Sequence, residues 1–128
     1  MPGLRLPGQS SVGPDTELSF RRDGIQNRVM QQLKRGQVRY QSRLDMHGLT
    51  VEQAYQTLNH FLQQAQDTGQ FCVLIIHGQG YRSTGGIPVL KQNIDYWLRQ
   101  ADQVLAFHSA IPADGGKGAV YVLLRRRR

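Results

Sequence analysis

The stretch Leu44-Asp45-Met46-His47-Gly48-Leu49-Thr50 decides how the rest of this chain is read. It predicts a short strand that stops at a glycine, with a helix starting directly after it. In a strand, side chains at i and i+2 share a face. Asp45 and His47 should therefore project side by side near the strand's carboxyl end. The pattern returns at Phe71-Cys72-Val73-Leu74-Ile75-Ile76, an apolar strand-like run that again ends in histidine and glycine, His77-Gly78-Gln79-Gly80. Two strands that each end in His-Gly and each lead into a helix would set both histidines on one rim of a parallel sheet.

The elements around this pair follow from periodicity. Thr50-Val51-Glu52-Gln53 has the form of a capping box. Val51, Ala54, Tyr55, Leu58, Phe61, Leu62 and Ala65 form an apolar stripe at helical spacing, which predicts a helix over 51–68, stopped by Gly69. Gly78, Gly80, Gly85 and Gly86 make a glycine-rich loop. Pro88 suits a first helical position, and Leu90, Ile94, Trp97 and Leu98 predict a helix over 88–100. Strands are expected at 104–108 and 119–124, joined by the turn Pro112-Ala113-Asp114-Gly115-Gly116-Lys117-Gly118. Upstream, Asp23-Gly24-Ile25-Gln26 resembles a second capping box, and Ile25, Val29 and Leu33 predict a helix over 24–35 with a narrow apolar face. The core order is β-α-β-α-β-β. Right-handed crossovers should make its first three strands parallel, with the last strand antiparallel to the third. The expected organisation is a disordered or linker segment over 1–22, a basic helix and lead-in over 23–43, a domain over 44–124 and a basic tail over 125–128.

Composition narrows the function classes. The net charge is +7, but it is unevenly placed. Residues 1–43 carry eight Lys/Arg and three Asp/Glu, residues 44–124 four and six, and residues 125–128 are all arginine. The flanks are basic and the domain is not, which suits a polyanionic partner gripped from outside. No apolar run approaches the ~20 residues of a membrane span. The single cysteine, Cys72, sits in an apolar run and reads as a small buried hydrophobe. With no signal-peptide core in Met1-Pro2-Gly3-Leu4-Arg5, the expected setting is the cytoplasm.

In an open α/β sheet, ligands bind beyond the carboxyl ends of the strands. Asp45, His47 and His77 are the candidate catalytic residues, since histidine titrates near neutrality and an adjacent carboxylate can orient it. Gly48, Thr50, Gly78, Gly80 and Arg82 are the candidates to hold phosphate. The glycines allow close backbone approach, and Thr50 opens a helix whose first N–H groups favour anions. The glycine loop is neither a Walker A motif nor Gly-x-Gly-x-x-Gly, because Ser83 stands where the third glycine would be. No Cys/His cluster has zinc spacing. His60 should be solvated on a polar helix face, and His108 could join the rim or lie outside it. Attack at a phosphodiester suits this constellation.

These motifs closely resemble the Smr domain, the small MutS-related family, over about residues 38–124. The carriers are Leu44-Asp45-Met46-His47-Gly48, with Met46 where the family usually has leucine, the intact His77-Gly78-Gln79-Gly80, the later Ala106-Phe107-His108, and the Gly115-Gly116-x-Gly118 turn. The lead-in Arg35-Gly36-Gln37 looks like that of stand-alone bacterial members. The resemblance implies a two-layer α/β sandwich with a mostly parallel four-stranded sheet, preceded by the N-terminal helix. It implies endonuclease activity on RNA or DNA, with Asp45, His47, His77, Gly78 and Gly80 as functional positions, and the ribosome as a partner of some members. On RNA no cofactor would be required. On DNA a divalent metal, magnesium or manganese, could be held by Asp45, His47 and His77. The alternatives are a non-catalytic nucleic-acid or ribosome-binding module and, more remotely, a small-molecule phosphoesterase.

Overall fold

A computed structural model describes residues 12–80 and 88–126. The elements are β1 (Ser19–Arg21), α1 (Asn27–Lys34), β2 (Ser42–Asp45), α2 (Val51–Asp67), β3 (Cys72–Ile76), α3 (Val89–Gln100), β4 (Val104–Ser109), two 3-10 turns (Pro112–Asp114 and Gly116–Gly118) and β5 (Ala119–Leu124).

The sheet has five strands in the order β1-β4-β5-β3-β2. Among the described residues only β2 and β3 pair in parallel; β3–β5, β4–β5 and β1–β4 are antiparallel. The expected mostly parallel, four-stranded sheet is therefore corrected to a mostly antiparallel, five-stranded one. β2, β3 and β4 still run the same way, but β5 inserts between β3 and β4. Its chemistry explains the position. The 3-10 turns return the chain antiparallel to β4, and all six residues of β5 are buried. An apolar run buried on both faces belongs at the centre of a sheet.

β1 corrects the expected linker over 1–22 at its far end. Ser19, Phe20 and Arg21 pair with His108, Phe107 and Ala106. Leu18 N–H donates to Ser109 Oγ at 2.7 Å, and Ser109 N–H donates to Leu18 O at 2.8 Å. The Arg22 guanidinium locks this end by donating to the carbonyls of Val104, Arg99 and Ala101. α1 lies inside the expected helical span, but it follows a strand rather than leading the fold. The capping box at Asp23 does not form: the N-cap is Gln26, which makes no side-chain cap bond.

Helices cover both faces, so the two-layer expectation is also corrected. Val73 and Ile75 pack with α2 and α3 through Leu58, Leu62, Ile94, Trp97 and Leu98. The alternate residues Cys72 and Leu74 pack with Leu33 of α1, Ala106 and Tyr121. This is the period-2 alternation of a central strand. Each fully buried leucine contributes roughly 1.5–3 kcal/mol. Burial pushes the Cys72 thiol up to about 12, as befits a core hydrophobe. No described helix is long and apolar enough to cross a membrane.

Candidate functional site

The first His-Gly pair is built by the end of β2. Met46 N–H donates to Ile76 O at 2.7 Å, continuing the parallel ladder one residue past Asp45. The chain then turns. Asp45 Oδ1 accepts the His47 N–H at 3.1 Å and lies 2.5 Å from His47 Nδ1. The two side chains do sit together as their spacing predicts, but through an aspartate-capped turn rather than a continued strand. Both are substantially exposed, His47 more so (70% against 40%). The hydrogen bond from His47 holds the Asp45 carboxyl below the usual carboxylate range. An ionised Asp45 accepting from Nδ1–H leaves Nε2 as the imidazole's free acceptor.

The second pair is built by the end of β3 and is buried. His77 N–H and Gly78 N–H both donate to Gly118 O at 2.9 Å. His77 Nδ1 lies 2.7 Å from Gly78 O, which fixes the proton on Nδ1. Its Nε2 is buried and has no hydrogen-bond partner among the described residues. Burial pushes the ring down to about 4; the Gly78 carbonyl opposes this and Lys91 adds to it. His77 is thus neutral at physiological pH.

His47 and His77 share a cleft of about 530 Å³, lined also by Gly48, Leu49, Gly78, Gln79, Gly80, Pro88, Leu90 and Lys91. Gly78 stands against His47: a Cβ there would lie 3.6 Å from His47 Cβ. Gly80 has φ +84°, and a Cβ there would fall 2.6 Å from Pro88.

The candidate residues divide accordingly. Asp45, His47, His77, Gly48, Gly78 and Gly80 gather at one rim. The Gly78 amide is already engaged by Gly118. Thr50 does not line the cleft, and its N–H and hydroxyl close the expected capping box with Gln53. Arg82, Gly85 and Gly86 lie outside the described residues, as do residues 1–11 and the last two arginines. His60 is exposed. His108 pairs with Tyr121 across the sheet, on the α1 face, and its Nε2 meets Glu17 at 3.3 Å, so it does not join the rim. Among the described residues, no three His, Cys, Asp or Glu side chains gather where they could hold a metal ion. Sequence reasoning missed Lys91, which is 1% exposed in the first turn of α3. The signal was a lysine set on an apolar stripe, three residues before Ile94 and seven before Leu98.

The family model described as Smr domain matches residues 44–125. An Escherichia coli (strain K12) protein named "Probable DNA endonuclease SmrA" is 37% identical over 109 residues, 85% of this chain and 58% of that one. A protein named "Ribosome rescue factor SmrB", from Escherichia coli O157:H7 (strain EC4115 / EHEC), is 33% identical over 116 residues, 91% of this chain and 60% of that one. The chain thus spans about three fifths of the length of these curated relatives. The crystal structure of YdaL, a stand-alone small MutS-related protein from Escherichia coli, superposes with a TM-score of 0.80 at 32% identity, covering 96% of this chain and 94% of that one. The Smr domain of Thermus thermophilus MutS2 matches with a TM-score of 0.58 at 33% identity, over 66% of this chain and 99% of that domain.

Proposed function

The chain belongs to the Smr domain family, and from that premise we propose that it is a nucleic-acid endonuclease whose reacting group is the Asp45–His47 pair. The observation that carries this reading is the 2.5 Å contact between His47 Nδ1 and Asp45 Oδ1 at the mouth of a cleft. Asp45 fixes the tautomer and stabilises the imidazolium that forms when His47 takes a proton. His47 Nε2 then removes the proton from the attacking oxygen, the 2′-hydroxyl in RNA or a water on DNA. That oxygen bonds to phosphorus, the P–O bond to the leaving group breaks, and the leaving oxygen takes a proton from solvent at the open mouth.

Two assignments shift from the sequence reading. His77, a catalytic candidate from the sequence, is buried and neutral, so in this reading it acts as an acceptor on the cleft wall through Nε2 and not as a proton donor. The Gly78 amide and Thr50 are occupied within the fold. The N–H groups of Gly48 and Gly80 make no hydrogen bond among the described residues and remain candidates to hold phosphate oxygens.

The test is cleavage of matched end-labelled RNA and DNA strands, with magnesium or with a chelator. Wild type is run beside Asp45→Ala/His47→Ala. Cleavage should fall roughly 10²–10⁴-fold in the double variant; a variant that cuts at the wild-type rate overturns the reading. RNA cut in chelator identifies the metal-free route, and DNA cut only with magnesium calls for an added ion.

A second reading, binding without cleavage, is favoured by Arg35, Arg39 and Arg43. All are exposed on the segment leading to Asp45. It predicts steeply salt-dependent binding with no cut strand. A nucleic acid, free or on a ribosome in the cytoplasm, is the partner in both readings.

A further inference from the structure

Residues 12–18 lie ahead of the matched family region, yet side chains beside the cleft fasten them. Gln79 Nε2 donates to Pro14 O at 3.2 Å. Lys91 Nζ donates to Pro14 O at 3.0 Å and to Thr16 O at 2.5 Å. Gln92 Nε2 donates to Val12 O at 2.9 Å. Val12 and Leu18 are buried in the core beneath α2 and α3. The segment is a strap, and Gln79 and Lys91 also line the cleft.

Two of the three fasteners are neutral amides, so fastening alone does not call for a charge. Burying an ammonium is costly unless the charge has a use or a partner. Lys91 is buried, and burial pushes its pKa down to about 8; the charges of Asp15 in the strap and Asp95 on α3 oppose this and Lys117 adds to it, so the ammonium stays cationic at neutral pH. An ammonium has three N–H donors, and the strap takes two. The remaining donor belongs to a wall shared with His77, whose Nε2 is itself buried and without a partner among the described residues. Among the described residues, this wall therefore carries one ammonium N–H and one imidazole nitrogen that no protein group takes.

We propose that Lys91 is a phosphate-holding residue of the cleft, kept at its wall by the strap of residues 12–18. The proposal rests on the cleft being a nucleic-acid site. The strap carbonyls fix the ammonium in place, and a non-bridging phosphate oxygen accepts its third N–H.

The experiment measures binding of a short 2′-O-methyl RNA oligonucleotide to the full chain across a salt series, beside cleavage of unmodified RNA and DNA. Lys91→Gln should bind roughly tenfold more weakly at low salt. The slope of log K against log salt should shrink by about 0.7, the share of one phosphate on a single strand. Gln92→Ala, which removes a fastener but no charge, should lower thermal stability and leave the slope alone. Lys91→Arg should keep the slope. An unchanged slope in Lys91→Gln, with binding as tight as wild type, overturns the proposal and leaves Lys91 a structural tie. Should Lys91→Gln not fold, the wild-type Lys91 Nζ resonance, assigned by its loss in Lys91→Arg, decides. It should shift on adding the oligonucleotide, and a resonance unmoved at saturation overturns the proposal. Wild type that neither binds nor cuts either strand defeats the nucleic-acid reading itself, a different result from normal binding with a silent Lys91.

Discussion

The His77 N–H donates to the Gly118 carbonyl at 2.9 Å, and the same oxygen takes the Gly78 N–H at 2.9 Å. One carbonyl from the turn ahead of β5 thus holds the second His-Gly pair. The insertion of β5 beside β3 is therefore more than a matter of topology. It puts the glycine-rich turn Gly115-Gly116-Lys117-Gly118 under the cleft, where Gly118 packs against Gln79 and Gly78, with a Cβ there meeting them at 3.4 Å.

Glycines of the rim should respond unequally to substitution. Gly48 and Gly80 both have positive φ, +82° and +84°. A Cβ on Gly48 meets nothing within 4 Å, whereas one on Gly80 falls 2.6 Å from Pro88 Cα and Cβ. Gly48→Ala should cost only the left-handed backbone penalty of about 1–2 kcal/mol. Gly80→Ala should cost at least ~1 kcal/mol more, because α3 must shift to admit the methyl. Urea unfolding of both variants checks this; equal losses would mean that Pro88 yields freely.

Ser109 tests whether the residues ahead of α1 belong to the folded unit. Its hydroxyl accepts the buried Leu18 N–H at 2.7 Å. Ser109→Ala leaves that donor without its partner, which should cost about 1–3 kcal/mol. The backbone amides of residues 18–21 should then exchange faster with solvent than those of β3. Unchanged exchange in the variant would show that Leu18 finds another acceptor.

What could be read from the sequence was local. Thr50 and Gln53 form both halves of the capping box, the α2 stripe is buried where its period puts it, and Asp45 meets His47. What could not be read depends on partners far along the chain. Nothing in Ala119–Leu124 says which strands it will separate; burial on both faces does, and that is a property of the folded sheet. β1 is three residues long, and its neighbour Leu18 is bonded by a serine 91 positions away. Lys91 stands out on the apolar stripe of α3, but its acceptors, Pro14 and Thr16, lie in a distant stretch rich in turn formers. The Gly78 amide, likewise, is taken by the carbonyl of Gly118, far along the chain.

The buried His77 should make stability fall in a defined pH window. Its ring titrates near 4 in the folded chain against 6.5 ordinarily. Between these values the unfolded chain binds a proton that the folded chain refuses. The His77 contribution is therefore complete above pH 6.5 and is lost as pH falls toward 4, by about 3 kcal/mol in total. Asp45, also held low, contributes its loss only below the ordinary carboxylate value of 3.8, outside this window. Urea midpoints from pH 7 to 4 should show the decline in wild type and a flatter profile in His77→Gln. A slope unaffected by that substitution would place the titration elsewhere.

Asp45→Asn isolates the charge of the proposed dyad from its shape. Asn is nearly isosteric, and Asp45 is exposed enough that the fold should not depend on it. The amide can turn its NH₂ toward His47 Nδ1, which moves the ring proton to Nε2 and removes the acceptor the chemistry uses. Even with the carbonyl facing Nδ1, the imidazolium loses its counter-charge. Single-turnover cleavage should fall by on the order of 10²–10⁴-fold with the melting temperature nearly unchanged. The ring's nitrogen resonances give a second reading independent of turnover, with Nδ1 protonated in wild type and the pattern altered in the variant. A variant that keeps both the wild-type rate and the wild-type tautomer would show that the 2.5 Å contact between Asp45 and His47 shapes the turn without taking part in proton transfer.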